Sequence, residues 1–118
     1  MSMIDWILKR SIRHMFTTYF RARAQQATHR DALWAVVRFQ FAKEPDRATA
    51  FWQNHWRNVS GHEPLLLPGE NREEAELKTL IDCLLHVIGG HNSLGMDFYS
   101  QIADIYEKEI KDEIKPGR

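Results

Sequence analysis

One cysteine, Cys83, stands in a chain of 118 residues, so no intramolecular disulfide can form and the fold must be held by burial. Asp5 interrupts the apolar run that a secretory peptide needs, and with a lone cysteine this makes the cytoplasm the expected compartment. Long hydrophobic runs are missing too. The nearest, ALWAVVRFQFA, covers eleven residues and includes Arg38. A membrane span needs roughly 20, so no transmembrane segment is expected. No glycine-rich phosphate loop, GxSxG turn, HExxH helix or EF-hand spacing occurs. Catalysis has no foothold, and the chain reads as a non-enzyme that requires no cofactor. Acidic residues are scarce at the start, where Asp5 is alone among the first thirty positions.

What is present fits a globular domain. Hydrophobic residues make up 43% and charged residues 27%, within the range of chains that bury a core, and the length suits one domain rather than two. Net charge is zero, but residues 1–60 hold ten Lys/Arg against four Asp/Glu, and residues 61–118 hold six against twelve. Such a split suits basic helices docking on acidic ones, within the bundle or between protomers, and it also suits a nucleic-acid face.

Five helical segments are expected, over about 3–27, 29–43, 46–59, 72–88 and 96–114. In the first, Ile4, Leu8, Ile12, Met15 and Tyr19 recur at helical spacing. The second starts at a Thr28–Asp31 capping box and is apolar nearly all round, which predicts a place near the centre. Val37, Phe39 and Phe41 alternate with Arg38 and Gln40, so residues 36–41 also fit a strand. A strand with no partner would leave its backbone unpaired, and helix is the stronger reading. Pro45 separates the second and third helices, with Asp46 as the expected N-cap. HEPLLLPGE connects onward and carries three leucines that a solvated loop does not need. Asn71 and Glu74 open the fourth helix, Gly89 and Gly90 close it, and the fifth shows a stripe of Tyr99, Ile102, Ala103, Tyr106 and Ile110.

IDCLLHVIGGHN, residues 81–92, has the vocabulary of a metal or nucleophile site. On a regular helix Leu77, Leu80, Ile81, Leu84 and Ile88 form the buried side, and His86 faces away beside Asp82 and Thr79. A surface pair of Asp82 and His86 near the helix C-terminus accounts for both. Cys83 and His86 supply two ligands where structural zinc wants four, and Asp82 beside the thiol opposes a nucleophilic role. The series Glu73, Glu74, Glu76 and Asp82 resembles the magnesium-binding acidic helix of all-helical nucleotide pyrophosphatases. The second acidic helix of that family is not matched, so no residue is carried over.

The third helix is less ordinary, because His55 sits in an apolar stripe with Trp52 and Trp56. It reads as a core histidine first and as a haem or metal ligand second. The first helix carries Trp6, Arg13, Phe16 and Phe20 on a flank away from its main stripe. These features predict an all-α fold, a compact single-domain bundle of about five helices. The expected function is a non-catalytic interaction module, an adaptor or regulatory subunit. It binds another protein through Trp6, Arg13, Phe16, Phe20, Trp52, His55 and Trp56, and self-associates as a homo-oligomer, simplest as a dimer. The alternatives are a nucleic-acid module using Arg10, Arg13, Arg21 and Arg23, and haem or metal binding through His55 or His86.

Overall fold

A computed structural model describes residues 3–57, 66, 68–89 and 96–114. Thr28 opens the second helix as read from the sequence: its hydroxyl accepts from the Asp31 backbone amide at 3.1 Å. Asn71 does the same for Glu74 at 3.0 Å. Among the described residues five helices follow in order: α1 (Met3–Ala24), α2 (His29–Gln40), α3 (Pro45–Ala50, continued by a π-helical stretch Phe51–Trp56), α4 (Arg72–Gly89) and α5. The last begins as Met96–Ile105, widens into a π-helical stretch Tyr106–Ile110 and ends as Lys111–Ile114. No strand occurs among the described residues, and 36–40 are helical. The fold is an all-α bundle.

α1 stops at Ala24 rather than Ala27, and the reason is local. Gln26 takes φ 72°, its amide donates to Arg23 O at 2.9 Å, and the Ala27 amide donates to Ala22 O at 3.1 Å. This paired bonding is a Schellman cap with glutamine where glycine is usual. The Arg23 guanidinium adds a bond to Ala27 O at 3.1 Å. α3 begins one residue earlier than expected. Pro45 occupies its first turn, where a fixed φ suits the helix, so Asp46 lies inside the helix and Glu44 is the cap residue.

α1 packs most extensively on α2, and α4 touches all four other helices. α4 therefore takes the middle that was expected of α2, whose Phe39 is 55% exposed. The core joins Ile12, Met15, Phe16 and Tyr19 of α1, Leu33, Val36 and Val37 of α2, and Leu77, Leu80, Ile81 and Leu84 of α4. From α5 come Ile102, Tyr106 and Ile110. Ile88, expected on the buried side of α4, is exposed. Of the three connecting leucines Leu66 is exposed, and Leu65 and Leu67 lie outside the described residues.

The charge split is answered inside the molecule. Lys9 pairs with Glu109 at 3.1 Å, Arg13 pairs with Glu113, and Arg23 pairs with Glu73 at 3.4 Å, so basic α1 lies along acidic α5 and the start of α4. A second polar element is largely buried: Lys78 meets Glu70 at 2.5 Å, and the Tyr99 hydroxyl donates to Glu70 Oε2 at 2.9 Å. Lys78 also sits 5.0 Å from the centre of the Tyr106 ring. These contacts satisfy a buried ammonium that would otherwise cost several kcal/mol, on the order of 3–5 if its partner were removed.

Candidate functional site

Arg30, Trp34 and Arg38 recur every four residues along α2, which puts them on one side of the helix. α3 brings Trp52 and Trp56 alongside. Its wider turn over Phe51–Trp56 stacks these indoles one above the other, 6.3 Å apart and tilted by 33°. Trp34 meets Trp52 edge-on at 5.1 Å. The Arg30 guanidinium lies 5.8 Å over the Trp52 ring, and Arg38 lies 5.9 Å over Trp34. The order is Arg30, Trp52, Trp34, Arg38: two half-buried indoles between two exposed cations. Phe39 lies on the other flank of α2, toward α1, where it is exposed and stacks at 6.3 Å on exposed His14.

At one end of this ladder a cleft of about 560 Å³ opens between the start of α2, the end of α3 and the first turns of α4. Trp52 and Trp56 form its apolar side, and His29, Arg30, Gln53, Arg57 and Glu76 its polar side. One wall is tied in place. The Tyr19 hydroxyl sits 2.8 Å from His29 Nδ1, and His29 Nε2 sits 2.7 Å from Glu76 Oε1. Both ring nitrogens are thus engaged, which leaves neither for a substrate or a metal. Burial, above all, pushes the Tyr19 phenol up to about 12, so this tyrosine remains a neutral hydrogen-bonding strut.

The residues expected to meet a partner separate into distinct environments. Phe16 is completely buried and stacks on Tyr106 at 4.6 Å, so it belongs to the core and offers a partner nothing. Phe20 is half-buried beside the same ring, at 6.1 Å. Trp56 is only 5% exposed, while Trp52 keeps part of its ring at the surface. Arg13 is taken up by Glu113 and by the Glu109 carbonyl at 3.2 Å. The expectations for Trp6 and His55 fall on side chains outside the described residues. Of the basic set, Arg13 and Arg23 are in ion pairs, Arg21 is exposed, and Arg10 has an interaction of its own.

The CLLH stretch departs from a surface pair. Asp82 and His86 are half-buried, and Asp82 Oδ1 and His86 Nδ1 are inaccessible and have no hydrogen-bond partner among the described residues. Burial pushes the Asp82 carboxyl up to about 6, against a smaller opposing pull from His86. Cys83 is buried, and burial with Asp82 beside it drives the thiol up to about 11, which makes it a poor nucleophile at neutral pH. Among the described residues no group of three His, Cys, Asp or Glu side chains could hold a metal ion. None of the described helices is long and apolar enough to cross a membrane.

Sequence reasoning missed Trp34, Arg38 and Phe39 as surface groups, and His29, Arg57 and Glu76 as neighbours in space. The four-residue recurrence of Arg30, Trp34 and Arg38 was the available signal; Glu76 had none, being 47 positions from His29. The fold and this face define an all-α bundle with an arginine and tryptophan surface. No protein-family model matches the sequence, and no curated protein or solved structure matches it significantly.

Proposed function

We propose that the chain is a non-catalytic helical interaction module, and that its contact face is the ladder of Arg30, Trp52, Trp34 and Arg38. The observation that carries this reading is the composition of the face. Tryptophan and arginine dominate the energetics of protein interfaces, and here they are already held in position by one another, which lowers the cost of ordering them on contact. The partner is a second copy of the chain or another protein, with a dimer as the simplest assembly.

Sedimentation velocity over a wide concentration range tests this directly. Wild type is expected to self-associate, and Trp34→Ala with Arg38→Gln to shift it to monomer with unchanged helical content. A wild-type monomer at every concentration, together with no protein partner whose binding these substitutions weaken, ends the proposal. Retention of single-stranded nucleic acid by the same face, lost in the same variant, would replace the protein partner with a polynucleotide.

A further inference from the structure

We infer that the cleft between α2, α3 and α4 is a binding site for a small planar anion: an aromatic or heteroaromatic ring bearing a carboxylate or phosphate. Size is the first argument. At about 560 Å³ the cleft lies within the range of small-molecule sites, large enough for a bicyclic ring with its charged group. Charge is the second. Arg30 and Arg57, exposed and in no ion pair among the described residues, line it from two different helices. The acid among the described lining residues, Glu76, is turned to His29 at 2.7 Å, so the charge those residues leave facing the space is positive. Two guanidiniums from separate helices suit a carboxylate or phosphate, whose oxygens accept their forked donors.

The indoles set the second half of the ligand. Trp52 presents a partly exposed ring at the cleft and is braced from three sides, by Trp34 at 5.1 Å, Trp56 at 6.3 Å and Arg30 at 5.8 Å. A braced indole next to cations is a stacking surface for a planar ring. Gln53 adds an amide able to donate and accept at the ring's edge. The Tyr19, His29 and Glu76 chain stiffens the opposite wall, so little ordering is left for the ligand to drive. Two buried positions, Leu33 and Trp56, close the floor and keep one side of the site dry.

Calorimetric titration of the whole chain with adenosine 5′-monophosphate and with indole-3-acetate separates phosphate from carboxylate. Adenosine and tryptophol serve as neutral rings, and inorganic phosphate and acetate as charges without rings. At least one ring-bearing anion is expected to bind, with its neutral counterpart and its ring-free counterpart each weaker by about tenfold or more. Arg30→Gln with Arg57→Gln should cost a similar factor while circular dichroism and melting temperature stay at wild type. Arg38→Gln lies outside the cleft and should leave ligand binding unchanged even where it weakens self-association, so this site and the proposed contact face fail separately. No heat from either anion, equal binding of the neutral rings, or full binding by the double arginine variant would overturn the assignment. So would uptake of an oligonucleotide by a protein that takes up neither small anion.

Discussion

Asp82 carries a carboxyl that burial holds near pH 6, where an exposed aspartate titrates near about 4. Between those two values the folded chain binds more protons than the unfolded chain. Stability therefore falls as pH rises through that window and levels off above it, the reverse of the usual behaviour of a paired carboxylate. The group is only partly covered, so solvent screens part of the penalty. Asp82→Asn should raise stability at pH 7 by about 1 kcal/mol and flatten the slope between pH 4 and 6. Urea unfolding across that range measures both, and an unchanged slope would exclude Asp82 as its source. None of this was legible beforehand. The helical wheel sent Asp82 and His86 outward, but α4 is packed by all four other helices, and a helix so placed has little outward face to offer.

Helix boundaries and stripes were the legible part of the fold, because capping and periodicity act within a few residues. Thr28 and Asn71 bond as their spacing predicts, and the stripe from Tyr99 to Ile110 is buried throughout. What failed was the end of α1, where the Schellman cap uses glutamine and so lacks the glycine by which such caps are recognised. Gln26→Gly should stabilise the chain by about 1 kcal/mol, since glycine reaches a positive φ without the side-chain clash that costs other residues this much. Thermal melts of variant and wild type check it; a lower melting temperature would show that the Gln26 side chain makes a compensating contact. The π-helical stretch of α3 was equally invisible. A wheel drawn for a regular α-helix describes the placing of Trp52 and Trp56 only roughly, and no residue pattern announces the widening. The cleft was the least legible feature, because it joins residues from three helices that only the packing brings together.

Over the whole molecule, the basic first half and acidic second half are partners within one chain. This makes long-range charge a term in the assembly of α1 against α5. Glu109→Lys should destabilise by about 0.5–1 kcal/mol at low salt, and adding Lys9→Glu should restore most of it, both effects shrinking as salt rises. Urea denaturation of the two variants at low and high ionic strength measures the recovery, and none would mean that the pair contributes nothing. Intramolecular pairing also removes Arg13 and Arg23 from the cations a polyanion could use, which leaves the arginines of α2 as the more available set. Those arginines flank indoles from two helices, Trp34 from α2 and Trp52 and Trp56 from α3, at 5.1 and 6.3 Å. Chromophores this close share their excited states. The far-ultraviolet dichroism of the chain should therefore carry an exciton couplet from Trp34 with Trp52 that exists only while α2 and α3 are joined, an optical gauge of tertiary assembly that helix content alone cannot supply.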